Sequence, residues 1–165
     1  MPLFNMPQLR AALPPNTRLL GLDLGTRTIG LALSDVSLML ASPYATLQRA
    51  KLAATAAEIN KISSREQVGG LVGGLPLSLD GSFGPAAQAA RDWLRSLSET
   101  TGLPAALWDE RLSSSAVNRL LIKDLDMTRQ RRSEVVDKLA AAYILQAALD
   151  ASRPDARPDS VHKSP

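Results

Sequence analysis

Residues 19–35 constrain the fold of this chain more than any other stretch. Apolar side chains occupy alternate positions on both sides of a short polar turn: Leu20, Leu22, Leu24, Ile29, Leu31 and Leu33. This two-residue period is typical of β-strands with one apolar face, so Arg18–Ser34 predicts a β-hairpin. Its opposite face carries one carboxylate, Asp23, between Gly21 and Gly25. Because glycine leaves open space, a metal ion or a phosphate can approach the backbone there, although an acid near a turn is the simpler interpretation.

The composition limits the chemistry that the chain can perform. Its 165 residues include no cysteine, which excludes disulfides, thiolate metal sites and a cysteine nucleophile. The one histidine, His162, lies in a polar C-terminal stretch, which disfavours a Ser-His-Asp triad and histidine-based metal binding. Any catalysis must therefore come from carboxylates, hydroxyls, lysine, arginine or the backbone. The net charge of +3 permits a nucleic-acid partner without requiring one.

The sequence contains no segment typical of a membrane or secreted protein. No apolar run approaches the roughly 18 residues that span a bilayer. Met1–Leu13 lacks a basic region followed by an apolar core, so we expect no signal peptide there. These features predict a cytoplasmic protein without a membrane partner.

After the hairpin, helical and strand patterns alternate along the chain. The predicted elements are a strand at Leu38–Ala41, a helix at Lys51–Glu66, a buried strand at Val68–Leu75, a helix at Pro85–Thr101, a strand at Leu103–Trp108, and helices at Ser113–Lys123 and Ser133–Asp150. This order predicts an α/β domain with a mixed sheet at residues 18–150. We expect a loose extension at 1–17, with at most one helical turn at Gln8–Leu13, and a disordered tail at 151–165.

Gly69–Gly74 forms a glycine-rich run in the Val68–Leu75 strand. The run lacks both the G-x-x-x-x-G-K-[ST] lysine and the G-x-G-x-x-G order of phosphate-binding loops. Close packing of a helix against a buried strand explains it better.

Acidic residues stand at three structurally marked places. Asp23 lies on the first strand, and Asp109 and Glu110 end the last one, where open α/β sheets place their active sites. Asp137 lies on an otherwise apolar face of the C-terminal helix. A buried, unpaired carboxylate is costly, so either Lys138 or an arginine neutralises Asp137, or a cation does.

Taken together, these acids predict a site for Mg²⁺ or Mn²⁺, since oxygen-only ligands suit hard cations and disfavour zinc. Two such ions would activate a water molecule for attack on a phosphodiester and stabilise the leaving oxygen. No protein nucleophile is then required.

Basic residues near these acids suggest contacts with nucleic-acid phosphates. The candidates are Arg27 in the hairpin turn, Arg111 after the last strand, and Arg129, Arg131 and Arg132 in a polar loop at Lys123–Arg132. A solvated loop is the simpler interpretation of that last segment. Trp93 and Trp108 both fit the core, so recognition of backbone and shape is favoured over base reading.

Four sequence blocks, in the same order, resemble the YqgF family of RuvC-like, RNase H-fold proteins, also called RuvX. The blocks are GLDLGTRTIGLALSD up to Asp35, GLPL at Gly74–Leu77 with Asp80 and Gly81, DERLSS at Asp109–Ser114, and VDKLAAAYILQ at Val136–Gln146. The resemblance covers about residues 18–150. It implies a five-stranded mixed sheet flanked by helices and a metal-dependent nuclease that matures the 5′ end of precursor 16S ribosomal RNA.

The resemblance also implies roles for individual residues. Asp23 matches the first-strand acid and Asp137 the helical acid. The middle acid falls in Asp109-Glu110, and Glu110 is favoured because related folds use a glutamate there. Side-chain alternation places the two on opposite faces, so only one is expected to be a ligand. Serines at 113 and 114 stand where threonines are common, which keeps the hydroxyls.

Three other functions remain open at this stage. A D-L-G-T hairpin also opens actin-like sugar kinases and ATPases, but that fold needs two such domains. A Holliday junction resolvase acting on DNA would use the same acids, with two sites in a symmetric dimer, and the sequence does not decide between monomer and homodimer. The third alternative is a non-catalytic factor that binds RNA or ribosomal particles.

Overall fold

A computed structural model describes residues 2–25, 27–76, 80–112 and 129–154, with the side chains of 112 and 129–135 excepted. The strands are β1 (Arg18–Leu24), β2 (Thr28–Ser34), β3 (Ala41–Gln48), β4 (Val68–Leu75) and β5 (Ala105–Asp109), and the helices described are α1 (Met6–Ala12), α2 (Leu52–Glu66), α3 (Pro85–Thr101) and α4 (Arg129–Ala151). A 3₁₀ turn at Glu110–Leu112 follows β5. The five strands form one sheet in the order β3-β2-β1-β4-β5. The first three strands pair antiparallel, whereas β4 pairs parallel with β1 and β5, which confirms the predicted mixed sheet.

Helices cover both faces of the sheet. On one face, aliphatic side chains of β1 and β2 pack with residues of α2 and α3 such as Ile59, Leu94 and Leu97. On the other face, Leu19 and Val72 belong to a cluster that includes α1 and α4. The hairpin therefore has no solvent-facing side, and its glycine-bearing face is the one that α4 covers.

Glycine allows α4 to lie directly against the backbone of the hairpin. A Cβ added at Gly21 would lie 2.9 Å from the Cβ of Leu145, and one added at Gly30 would overlap the carbonyl group of Asp137. Since real Cβ atoms do not approach other atoms this closely, any side chain here would push the helix off the sheet. The glycines of β4 also serve packing, as predicted, because a Cβ at Gly73 would lie 2.9 Å from Leu94.

The N-terminal segment is packed, whereas we expected it to be loose. Asn5 and Gln8 form a reciprocal capping box that starts α1. The backbone N–H of Phe4 donates to the carbonyl of Ala105 at 2.8 Å, next to the edge strand β5. Leu9 is fully buried. The capping box was a local signal for this helix that the proline content obscured.

Four other predictions were wrong or lie outside the described residues. The third strand runs over Ala41–Gln48 rather than Leu38–Ala41, because Pro43 is accommodated on the edge strand beside an irregularity at Leu31/Ala32. The segment 129–132 belongs to α4 and not to a loop. The predicted helix at Ser113–Lys123 and the tail beyond residue 154 lie outside the described residues.

None of the described helices is long and apolar enough to cross a membrane.

We expect Gly30→Ala to lower the free energy of unfolding by about 1–3 kcal/mol, because the added methyl group displaces α4 from β2. Urea denaturation measures this effect. Gly84→Ser is the matched control, since a Cβ there meets no atom within 4 Å and serine preserves a capping residue before α3. Equal stability of Gly30→Ala and wild type would contradict the close contact between α4 and the hairpin.

Candidate carboxylate site

Asp23 lies on the face of the sheet that α4 covers. It pairs with Gly30 across the antiparallel β1–β2 ladder, and directly opposed residues point to the same face. Its neighbours on that face, Gly21 and Gly25, both point at α4, since added Cβ atoms would meet Leu145 and Asp137. The Asp23 residue is only 1% exposed. The glycines therefore shape a narrow space between strand and helix into which this carboxylate projects.

Asp137 projects from α4 toward the turn of the hairpin. The hydroxyl of Thr28 donates a hydrogen bond to its Oδ2 atom. A Cβ added at Gly25 would lie 2.7 Å from the same oxygen, so the carboxylate rests against bare backbone. Gly25 N–H donates to the Thr28 carbonyl at 2.9 Å and closes the turn. Thr28 is thus a partner of Asp137 that the sequence did not indicate, whereas Lys138, an arginine or a cation was expected.

Glu110 follows the edge strand β5, and its side chain lies on the same face of the sheet as Asp23 and Asp137. It begins the 3₁₀ turn that follows β5. A Cβ added at Gly74 would lie 2.6 Å from Glu110 Oε1 and 2.8 Å from the Cδ1 atom of Ile144 on α4. The Glu110 carboxylate thus lies over the end of β4, on the α4 side of the sheet.

Asp109 has a different environment from Glu110, as side-chain alternation predicted. Its two carboxylate oxygens accept from the guanidinium of Arg111, at 3.1 Å from Nε and 2.7 Å from Nη2. Its Oδ1 also accepts from the Arg111 backbone N–H at 3.0 Å. The hydrogen bond from Arg111 lowers the pKa of the Asp109 carboxyl. Asp109, the last residue of β5, therefore forms an ion pair with Arg111.

The three acids share one face and one end of the sheet, and the donor chemistry suits a hard cation. The Asp137 and Glu110 oxygens lie close to the backbone of Gly25 and Gly74, respectively. A side chain at either glycine would occupy the space that the oxygen fills. Within the described ranges, however, no group of three His, Cys, Asp or Glu side chains could hold a metal ion as placed. The residues therefore fit a metal site in their chemistry and in their common face, without forming a closed ligand cluster.

The basic residues predicted from the sequence lie in different parts of the structure. Arg27 is exposed and directly precedes Thr28, whose hydroxyl donates to Asp137. Arg49, which sequence analysis missed, donates from Nη1 to the Gly25 carbonyl at 3.0 Å and from its backbone N–H to the Arg27 carbonyl at 2.9 Å. A lone arginine beyond a strand carries no sequence signal, and its place depends on how β3 pairs with β2.

The remaining basic candidates are Arg111, which binds Asp109, and three residues at the start of α4. Arg129, Arg131 and Arg132 lie on the first turn of that helix by their backbone, and their side chains are outside the described residues. Their proposed contact with phosphates stays a prediction.

Comparison with known proteins agrees with this architecture. The model of the family described as "RuvX: Holliday junction resolvase" matches residues 17–151. The chain belongs to this family. A Gluconacetobacter diazotrophicus protein named "Putative pre-16S rRNA nuclease" is 74% identical over 152 residues, covering 92% of this chain and 99% of the relative. A Gluconobacter oxydans protein of the same name is 67% identical, covering 94% and 98%.

A solved structure supports the fold. The RuvC of T. thermophilus, determined in complex with a Holliday junction substrate, aligns with a TM-score of 0.50 at 17% identity. The alignment covers 82% of this chain and 94% of that one. This likeness confirms the RNase H-like fold. The family and the named relatives identify the chain as an endonuclease, an enzyme that hydrolyses phosphodiester bonds.

We expect Thr28→Val to lower the free energy of unfolding by about 1–3 kcal/mol, because it removes the hydroxyl that donates to the half-buried Asp137 carboxylate while keeping the side-chain shape. Urea denaturation at neutral pH measures the change. Thr100→Val is the control, since that hydroxyl bonds only its own helix at Ser96. Equal losses in the two variants would show that the Thr28–Asp137 bond adds nothing specific.

Proposed function

We propose that this endonuclease uses Mg²⁺ or Mn²⁺ to cut structured RNA and that its substrate is precursor 16S ribosomal RNA, trimmed at the 5′ end. When bound, two such ions would activate a water molecule for in-line attack and stabilise the leaving oxygen. Asp23, Glu110 and Asp137 would hold them. The convergence of these three acids on the α4 face at one end of the sheet is the observation that supports the proposal.

The protein contributes orientation and water exclusion to this chemistry. Asp23 is buried between a strand and a helix, so its carboxylate has little freedom and little access to bulk water. The hydroxyl of Thr28 fixes one oxygen of Asp137. The hairpin thus positions two of the three proposed ligands: β1 carries Asp23, and Thr28 on β2 orients Asp137.

Exposed arginines at the hairpin turn supply the contact with the substrate backbone. Arg27 is exposed in the connection between β1 and β2, and the guanidinium of Arg49 donates to the Gly25 carbonyl in the same connection. Arginine pairs well with phosphate oxygens, which carry no sequence information. Trp93 and Trp108 pack against the two apolar clusters, so stacking on bases is poorly provided for.

Ribosomal RNA is favoured over branched DNA because the two relatives of highest quoted identity carry a pre-16S rRNA nuclease name over nearly their whole length. The family description supports a Holliday junction as the second candidate. A resolvase would act as a symmetric dimer, whereas processing of RNA on ribosomal particles in the cytoplasm would not require one.

We expect Asp23→Asn and Asp137→Asn to reduce cleavage by about 100-fold or more, since groups that merely support metal ligands already account for about 10–100-fold. The assay compares a precursor 16S 5′ fragment with a four-way DNA junction, each with Mn²⁺ or with EDTA. Asp92→Asn on the exposed side of α3 is the matched control and should cut like wild type.

Metal-dependent cutting of the RNA that both site variants lose is the expected result. Paired symmetric cuts in the junction alone would replace the RNA by DNA as the substrate. Cleavage by wild type in EDTA, or by Asp23→Asn at the wild-type rate, would refute the carboxylate site. Circular dichroism and urea melts of each variant separate loss of chemistry from loss of fold.

A further inference from the structure

We propose that Asp109 and Arg111, which we term the Asp109–Arg111 clip, are positioning residues that hold the Glu110 carboxylate over β4. The inference rests on the proposed function, in which Glu110 binds metal. It removes Asp109 from the candidate ligands and Arg111 from the candidate phosphate contacts.

The bonds between Asp109 and Arg111 close a ring of atoms that includes the backbone of Glu110. Asp109 Oδ1 accepts from the Arg111 backbone N–H at 3.0 Å, a side-chain-to-backbone bond that spans two residues. The guanidinium of Arg111 donates hydrogen bonds to both oxygens of the same carboxylate. Rotation of the backbone at Glu110 would have to break these bonds together, so the direction in which Glu110 leaves the strand is fixed.

The clip is anchored on two sides. Asp109 pairs with Leu75 at the end of the parallel β4–β5 ladder, so its backbone belongs to the sheet. The Arg111 guanidinium lies beside the turn that precedes α3, because a Cβ added at Gly81 would meet Nη1 at 3.4 Å. The pKa of Arg111 is raised by its bond to Asp109 and further by the charge of Asp80.

Asp109 and Glu110 are adjacent in the chain but have different partners, and we assign them different roles, positioning to Asp109 and metal binding to Glu110. The Asp109 side chain is 18% exposed and bound to a cation of its own chain. The Glu110 carboxylate lies against Gly74 and Ile144, on the face shared with Asp23 and Asp137. A carboxylate that is already neutralised by a bidentate arginine is a poor ligand for a metal ion, whereas it is well suited to fix a turn.

The test compares Mn²⁺ affinity, measured without nucleic acid from the electron paramagnetic resonance signal of the free ion. Asp109→Asn keeps an oxygen acceptor for the Arg111 N–H, so we expect a dissociation constant within about 3-fold of wild type. Asp109→Ala loses the acceptor and should weaken binding by about 10-fold or more, as should Glu110→Gln. Arg111→Gln loses the same ion pair as Asp109→Asn and keeps the same backbone bond, so its dissociation constant for Mn²⁺ should also stay within about 3-fold of wild type.

Two results would overturn the clip. If Asp109→Asn loses as much affinity as Glu110→Gln, Asp109 is itself a ligand. If Asp109→Ala binds Mn²⁺ like wild type, and Arg111→Gln only raises the KM for RNA, then Arg111 contacts the substrate and no positioning occurs.

Amide hydrogen exchange separates failure of the clip from failure of the proposed function. If wild type itself does not bind Mn²⁺, the metal site is refuted, and exchange at the Arg111 amide decides the clip. Asp109→Ala should accelerate that exchange by about 10-fold or more, whereas Asp109→Asn should protect it nearly as well as wild type. Equal exchange in all three proteins would overturn the clip whatever the metal result.

Discussion

The contact between helix α4 and the bare backbone of the β1–β2 hairpin is the constraint on which the rest of the structure depends. At Gly30 the helix backbone occupies the volume that a Cβ would need, and at Gly21 the Leu145 side chain does so. This contact determines the depth of Asp137 above the sheet. It also buries Asp23, which has helix on one side and sheet on the other. A packing requirement and a functional geometry are therefore met by the same glycines.

That arrangement places acids where hydrophobic residues would be more stabilising. A carboxylate in a covered position loses hydration, and it persists only with compensating hydrogen bonds or cations. Thr28 supplies one such bond to Asp137, and Arg111 neutralises Asp109 outside the cluster. Acids retained at a cost in stability are typical of functional sites, because residues chosen for chemistry need not be optimal for folding.

Sequence reasoning recovered the elements whose signals are local. The alternating leucines predicted the hairpin, and the helix predicted at Pro85–Thr101 is α3. It failed where the cause is tertiary. Thr28 and Asp137 are 109 positions apart, and only the docking of α4 joins them. The third strand was misplaced because Pro43 argued against a strand, whereas an edge strand with an irregular register tolerates it.

The identity of the substrate follows less directly from these residues than the type of reaction does. Carboxylates on one end of a sheet suit any phosphodiester, so RNA and branched DNA place equal demands on Asp23, Glu110 and Asp137. Discrimination must come from groups that meet the backbone away from the scissile bond, where the shape of the helix and the 2′-hydroxyl differ. Arg27 and Arg49 are both exposed, and Arg49 bonds the backbone of the β1–β2 connection at Gly25. Their spacing is set by the pairing of β2 with β3, so the edge strand, which supplies none of the three proposed metal ligands, positions the arginines that we propose to contact the substrate.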